Sequence, residues 1–286
     1  MANLKEIRNR IASVSSTMQI TSAMKMVSAA KLKKAQDAIT AMRPYSDKLT
    51  ELIQNLSGAI DGDTPNPYTQ ERPVEKVLLI AITSNRGLCG GFNSNIIKAV
   101  NQYIADHPDQ TIELVTLGKK GDDILSKSHT VMTNNNGIFD DLSFANASAI
   151  ANVVMEQFSD KAYDKVEVIY NRFKNAATQI VTTETLLPIV ASDKHTAEAG
   201  VDYIFEPSQE EIVSELLPKS IKMQLFKALR DSFASEHGAR MTAMHKATDN
   251  ATELRDQLKL TYNKARQAAI TNEILEIVGG AEALNN

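Results

Sequence analysis

Glycine and proline are almost missing from the two ends of this 286-residue sequence. Residues 1–57 contain no glycine, and Pro44 is their only proline; residues 219–278 contain no proline, and Gly238 is their only glycine. Because these two residues end most helices, each end predicts one long helix, the first with a break or kink near Pro44. A glycine costs a helix only about 1 kcal/mol, so Gly238 does not divide the second one.

Other features that would identify further classes of protein are also missing. No apolar run approaches the roughly 18 residues of a membrane-spanning helix, and the first residues lack the apolar stretch of a secretory signal. We therefore expect a cytosolic protein whose membrane association is indirect. Cys89 is the only cysteine, which excludes an internal disulfide and multi-cysteine zinc sites. A net charge of −4 disfavours general affinity for nucleic acid.

Positive charge is nevertheless concentrated at the N-terminal end. Residues 1–40 carry seven basic and two acidic residues, a net charge of +5. The cations on the long helices with no carboxylate three or four positions away include Arg8, Lys25, Lys31 and Arg266. Lys33 and Lys34 both have Asp37 within that spacing. The unpaired cations predict an acidic partner outside the chain.

Apolar and small residues on both terminal helices recur in steps of three and four, as in a coiled coil. The C-terminal set is Met244, Ala247, Ala251, Leu254, Leu258, Thr261, Ala265 and Ala268. The N-terminal set is Leu4, Ile7, Ile11, Val14 and Met18, followed with shifted phase by Ile20, Ala23, Met24, Val27 and Ala30. A chain that reverses through a middle domain favours an antiparallel pair of its own two helices; homodimeric coiled coils are the alternative.

The middle of the chain alternates strands with helices, which is typical of an α/β domain. Strands are predicted at 77–83, 111–117, 165–170 and 179–189, the last two as an antiparallel hairpin at a sheet edge, and helices at 93–103, 119–125 and 144–158. The predicted fold is therefore a long antiparallel coiled coil, residues 1–70 with 208–286, with a Rossmann-like α/β domain, residues 74–200, inserted between its helices.

One motif invites a catalytic interpretation. The segment 83–93, TSNRGLCGGFN, joins a strand to a helix through glycines, as phosphate-binding loops do. Its spacing fits neither common nucleotide-binding fingerprint. A tight turn with a passive, buried Cys89 is the favoured interpretation, and an α/β nucleotide-binding enzyme with coiled-coil oligomerisation helices is the alternative. His237 and His245 are too far apart for a zinc pair and are expected at the surface. No catalytic residue, cofactor or metal is predicted.

Three blocks of sequence carry a family resemblance. Residues 5–36, residues 83–96 (TSNRGLCGGFNSNI) and residues 234–284 resemble the gamma subunit of bacterial F-type ATP synthases, in the order and spacing of that family. The resemblance implies a non-catalytic central-stalk rotor. Its coiled coil would fill a ring of three alpha and three beta subunits, and its foot would stand on the membrane c-ring beside the epsilon subunit. It would couple proton flow to ATP synthesis at the cytoplasmic face of the bacterial membrane, as a peripheral membrane protein.

The resemblance also assigns contacts residue by residue. Contacts with beta-subunit loops are implied for Met24, Lys25, Arg266, Gln267, Thr271 and Glu273, and contacts with acidic beta-subunit segments for Lys31, Lys33 and Lys34. Arg43, Tyr45, Tyr203, Ile204, Phe205 and Glu206 resemble the foot near the c-ring and epsilon. Residues 274–284 resemble the apolar end of the axle.

Overall fold

The computed structural model describes residues 4–60, 67–189 and 209–285. The chain forms two compact units, residues 1–28 with 241–286 and residues 29–240. Two long helices, α1 (Leu4–Ile60) and α5 (Gln209–Asn285), contribute to both units. The predicted α/β domain, residues 74–200, contains only the segment of the chain that forms the sheet. The second unit also includes the parts of α1 and α5 that pack with this segment.

Helix α1 continues through Pro44 to Ile60, so the chain does not break there, and of the two predicted alternatives only the kink remains. Ile39 before the proline is buried, and Leu49 and Ile53 after it pack with Leu217 of α5. Burial of apolar side chains on both sides stabilises the helical course that Pro44 alone would interrupt. Helix α5 runs without interruption through Gly238, as predicted, and begins before Pro218.

In the first unit, α1 and α5 form an antiparallel pair. Arg8 contacts Tyr262, Thr21 contacts Thr248, and Lys25 approaches His245. The partner number falls as the residue number rises, which is the signature of antiparallel pairing. The predicted antiparallel coiled coil between the two ends of one chain is therefore confirmed.

The seam of α1 is only partly the predicted one. Its first stripe, Leu4 to Met18, is buried or half-buried, as expected. The predicted second stripe is wrong, because Ile20 and Val27 are 60% and 57% exposed and Ala23 and Ala30 are also exposed; of that stripe only Met24 is half-buried. The seam instead keeps its phase through Thr21, Lys25 and Ser28, polar residues that a search for apolar periodicity passes over.

On the facing seam of α5, too, polar residues make contacts at positions where the periodicity predicted other residues. The predicted residues Leu254, Thr261 and Ala268 are exposed, whereas Met244, Ala247, Ala251, Leu258 and Ala265 are buried or half-buried. Thr248, Arg255 and Tyr262 contact α1 in place of the exposed three. The seam is thus a mixture of small apolar contacts and hydrogen bonds.

The second unit contains a five-stranded sheet in the order β3-β2-β1-β4-β5. Its elements follow the chain as β1 (Lys76–Ile82), α2 (Phe92–Asp106), β2 (Thr111–Leu117), α3 (Lys119–Leu125), β3 (Val131–Asn134), α4 (Phe144–Ser159), β4 (Lys165–Phe173) and β5 (Gln179–Leu187). Only β5 is antiparallel to its neighbour, which confirms the predicted edge hairpin. The short edge strand β3 was not predicted.

Both faces of the sheet are covered, as parallel sheets require. Leu78 and Ile80 of β1 lie in one cluster with residues of α4 and α5, while Leu79 and Ala81 lie in another with residues of α2. Alternate residues of one strand therefore serve two core layers, which explains why β1 reads as a continuous apolar run. Because Ile221, Leu225 and Leu229 of α5 belong to the first layer, α5 is part of the core of this unit.

Candidate functional site

The glycine loop after β1 is held by an arginine from α5. Arg240, only 8% exposed, donates hydrogen bonds to the carbonyl oxygens of Arg86 (3.0 Å) and Gly87 (3.3 Å). Its guanidinium also pairs with Glu236 at 2.6 Å. Sequence analysis missed this contact, because backbone carbonyls about 150 residues away leave no pattern near Arg240.

These bonds decide between the two interpretations of the loop. A phosphate cradle directs backbone N–H groups at an anion, whereas here the carbonyls of Arg86 and Gly87 face a cation. The amide of Ser84 is taken by the Asn93 side-chain oxygen at 2.9 Å, and Asn171 donates to the carbonyl of Phe92 at 3.1 Å. These four polar groups of the loop are thus used internally, which disfavours the nucleotide-binding enzyme.

Cys89 lies inside this loop and is 2% exposed. Burial raises the pKa of its thiol, with hydrogen bonding to Ser84 acting in the opposite direction. A buried thiol with a raised pKa is a poor nucleophile. The predicted burial of Cys89 is confirmed.

His237 was expected at the surface, and that prediction is wrong, since it is 4% exposed; His245 is exposed as predicted. The Nδ1 atom of His237 lies 3.4 Å from the Arg240 guanidinium, and the Nε2 atom of His237 has no hydrogen-bond partner in the described parts of the chain. Burial, and then the charges of Arg240 and Lys31, lower the pKa of His237 to about 4. The ring is therefore neutral beside the ion pair.

Two of the four cations predicted to be free have partners within the coil. Arg8 donates to the Tyr262 hydroxyl at 2.8 Å and lies over its ring, 5.7 Å from the centroid. Lys25 is half-buried, with Nζ 3.4 Å from Nδ1 of His245. The test at three or four residues sees only contacts along one helix, and these contacts cross between helices. Arg266 is exposed and makes no ion pair or hydrogen bond with any residue that the structure describes.

The predicted contact residues do not form one cluster. Met24 and Lys25 lie near His245 along the coil, about 30 Å of helix from Arg266 at 1.5 Å per residue. Gln267, Thr271 and Glu273 are exposed near Arg266. Lys31, Lys33 and Lys34 are exposed in the second unit, where Lys33 pairs with Asp37 at 2.9 Å. Arg43 and Tyr45 are also exposed there, and Tyr203, Ile204, Phe205 and Glu206 lie outside the described residues.

The end of α5 has no covering helix in the described structure. Every residue from 266 to 281 is exposed, although the segment contains large apolar side chains. Ile270, Ile274, Leu275, Ile277 and Val278 are between 48% and 66% exposed. An apolar helix end of this length is typical of a surface that binds another protein.

Comparison with known proteins identifies the family to which this arrangement belongs. The family model described as ATP synthase matches residues 3–284. The ATP synthase gamma chain of Flavobacterium johnsoniae is 68% identical over 285 residues, which cover all of both chains. The chain belongs to the ATP synthase gamma-chain family. A family match over the whole chain agrees with the blocks at 5–36, 83–96 and 234–284.

Solved structures agree with this assignment. A chain from the Tetrahymena thermophila mitochondrial ATP synthase central stalk and c-ring structure is 28% identical, with a TM-score of 0.62 over 80% of this chain and 99% of that one. A chain from the Euglena gracilis mitochondrial ATP synthase, in an OSCP, F1 and c-ring structure, has a TM-score of 0.72 over 98% and 94% at 24% identity, and so supports the gamma-chain fold. Among the described residues no helix is long and apolar enough to cross a membrane.

Proposed function

We propose that this gamma chain is the non-catalytic rotor shaft of a proton-translocating F-type ATP synthase. It couples proton flow through a membrane c-ring to ATP synthesis at the beta subunits, or ATP hydrolysis to proton pumping. The observation that carries this proposal is the bare end of α5, residues 266–281, which extends past its coil partner with its apolar side chains exposed. Such an end needs an enclosing surface, and a ring of other subunits supplies one.

The proposed partners are three alpha and three beta subunits around the coil, with the epsilon subunit and the c-ring at the foot. The chain would lie at the cytoplasmic face of the bacterial cell membrane as a peripheral membrane protein. Bacterial relatives named as ATP synthase gamma chains support this placement. A rotor that stands on the c-ring needs no membrane span of its own.

The contacts with beta subunits are proposed at two levels of the coil and at one helix face of the second unit. Met24 and Lys25 form the first level; Arg266, Gln267, Thr271 and Glu273 form the second. Lys31, Lys33 and Lys34 would meet acidic beta-subunit segments. Arg43, Tyr45 and residues 203–206 are the proposed foot contacts.

The coil acts on the beta subunits by differential contact. A partner can shift a conformational equilibrium only by as much as it binds one state better than another. Arg266 has five donors with no partner in the described structure, and so can bind a beta-subunit acceptor in one nucleotide state more strongly than in the next. The apolar end beyond Ile274 offers few directional bonds, so its resistance to turning is low.

Rotation of a labelled complex tests the proposal. Cys89 is buried and unsuited to labelling, so a bead is attached through Asp109→Cys, an exposed position after α2. With alpha and beta subunits fixed to a surface and ATP supplied, the bead should turn in one direction. A bead that stays still while the complex hydrolyses ATP would indicate a static scaffold. Saturable ATP binding by the isolated chain, lost in Gly90→Val, would favour the nucleotide-binding enzyme instead.

A second experiment isolates the role of Arg266. Arg266→Ala should reduce ATP-driven proton pumping or the yield of assembled complex, and leave the helix content of the isolated chain unchanged. Lys264→Ala is the matched control, because it removes a neighbouring exposed charge from the same helix. Equal pumping and equal yield in both variants would remove Arg266 from the proposed contact surface.

A further inference from the structure

A second site lies in the sheet-containing unit, away from the Arg240 loop. A pocket of about 480 Å³ opens between α1, the β4–β5 hairpin and α5. Four basic side chains line it: Arg43 from α1, Arg172 and Lys174 from the hairpin, and Lys227 from α5. The remaining charged residue is Asp231. The pocket thus gathers cations from three elements that are distant in sequence.

The four cations have no direct partner. In the described structure none of their side chains makes a hydrogen bond, or an ion pair within 4 Å, although the charge of Asp231 acts on Lys227, Arg43 and Arg172. Elsewhere in this unit, Arg240, Lys33 and Lys165 each pair with a carboxylate. Like charges held in one pocket repel one another, and that repulsion is relieved when an anion binds.

The single carboxylate of the pocket offsets only part of this charge. Asp231 is 6% exposed and has no ion-pair partner among the described residues. Burial raises the pKa of Asp231 to about 6, although Lys227, Arg43 and Arg172 act to lower it and Glu184 acts to raise it. Glu184 in turn accepts a hydrogen bond from the Tyr170 hydroxyl at 2.7 Å. Even with Asp231 ionised, the four basic groups leave the pocket with a positive excess.

The lining also sets the kind of anion. Arginine guanidinium groups match phosphate oxygens with paired N–H donors, and lysine adds a mobile charge. The volume lies within the range of small-molecule sites, which is roughly 300–1,000 Å³. Phe173 adds an apolar wall, as such sites have. Several cations spread over three elements suit an anion with more than one charged group.

We propose that this pocket binds a small anion that carries two or more phosphate groups. The pocket shares one residue, Arg43, with the proposed rotor contacts, since Arg43 is also a proposed foot residue. The other lining residues are not among those contacts. Arg172 and Lys227 carry the test for this reason, since neither is among the rotor contacts. The inference therefore holds or fails independently of rotation.

Calorimetric titration of the full chain with inorganic pyrophosphate at fixed ionic strength tests it. We expect saturable binding to one site. The double substitution Arg172→Gln with Lys227→Gln should weaken it by at least about tenfold, since two positively charged hydrogen-bond donors to the anion are removed. Lys98→Gln with Lys127→Gln removes the same net charge from exposed positions of the same unit and should leave the affinity unchanged.

Asp231→Asn supplies a test of opposite sign. It removes the negative charge of the one carboxylate found among the described lining residues, so pyrophosphate should bind severalfold more tightly at pH 8. Circular dichroism of each variant shows whether the fold is retained. No binding by the unmodified chain, an equal loss in the control pair, or tight binding of an acidic peptide where pyrophosphate does not bind would each overturn the proposal.

Discussion

At the scale of single residues, Arg240 links helix α5 to the loop that follows the first strand. Its guanidinium is buried and satisfied by two carbonyls and a carboxylate. Burial raises the pKa of Glu236, and Arg240 is the main influence that lowers it. The two side chains therefore depend on each other to remain charged in the interior.

Arg240→Ala should lower the free energy of unfolding by about 3 kcal/mol, because it leaves the buried carboxylate of Glu236 without its partner. Urea denaturation of Arg240→Ala and of the unmodified chain measures this effect. Adding Glu236→Gln to Arg240→Ala should recover part of the loss, since no buried charge then remains unpaired. A double variant no more stable than Arg240→Ala would contradict the unpaired carboxylate as the cause, because both variants lack the bonds to the loop carbonyls equally.

Two buried titratable groups give stability opposite dependences on pH. His237 resists protonation in the folded chain, so its contribution is lost as the pH falls from about 6.5 toward 4. Asp231 holds its proton more tightly when folded, so its contribution grows as the pH falls from about 6 toward 3.8. Each effect amounts to about 3 kcal/mol, and the two act in opposite directions in the unmodified chain.

Substitution separates these two effects. In Asp231→Asn the free energy of unfolding should decrease more steeply between pH 6.5 and 4 than in the unmodified chain, because the opposing effect of Asp231 is removed. In His237→Gln it should increase over the same range. Urea titrations at several pH values measure both slopes, and parallel slopes in the two variants would contradict the assignment.

At the scale of elements, the coil shows what periodicity can predict. The length of both helices and the first stripe, Leu4 to Met18, follow from the spacing of apolar residues and the lack of helix breakers. The seam beyond Met18 does not, because Thr21 and Ser28 are small enough to pack and their hydroxyls bond within the coil. A polar residue in a buried position carries no apolar signal. The edge strand β3 was not predicted for a similar reason. Its four residues are two apolar residues followed by two polar ones, so they show no alternation of apolar and polar positions.

The Thr21–Thr248 contact of the seam can be replaced without leaving an unsatisfied group. The hydroxyls are 2.8 Å apart, and each also lies within hydrogen-bond distance of a helix carbonyl, that of Met18 or Met244. Thr21→Val with Thr248→Val should raise the free energy of unfolding of the coil by about 1 kcal/mol, because both polar partners become apolar together. Thermal unfolding followed at a helix-specific wavelength measures the change.

Thr17 provides the control for this prediction. Its hydroxyl bonds the carbonyl of Ser13 in the same manner, but the side chain is exposed. Thr17→Val should therefore give no gain. An equal gain at Thr17 would mean that helix propensity, and not burial in the seam, explains the result.

At the scale of the whole molecule, the fold and the contacts with other subunits differ in how far the sequence predicts them. The sheet of the second unit could be predicted closely, since its strands and helices are separated by clear turns. The beta-subunit contacts and foot could be assigned only through resemblance, because an exposed cation has the same local sequence whether it faces solvent or a partner. Arg8 illustrates the limit, since only the structure reveals its contact with Tyr262.

The bare end of α5 should behave differently in the free chain and in the complex. Backbone amides from 268 to 281 should exchange hydrogen rapidly in the isolated chain, because an unpacked helix end is only marginally stable. Backbone amides from 244 to 258 lie in the part of α5 that packs against α1, so they should exchange slowly. In the assembled ATP synthase the end should become protected, and equal protection before and after assembly would contradict an enclosing surface.

The antiparallel coil also constrains the order in which the protein can fold during synthesis. Met18 leaves the ribosome long before Thr252, the residue whose hydroxyl reaches its sulfur. At roughly 5–20 residues per second, the delay is on the order of 10–50 s. During that interval the first stripe of α1 has no partner from α5. A late part of the chain therefore covers the first, and the apolar stripe of the N-terminal helix stays exposed until that part of α5 has been synthesised.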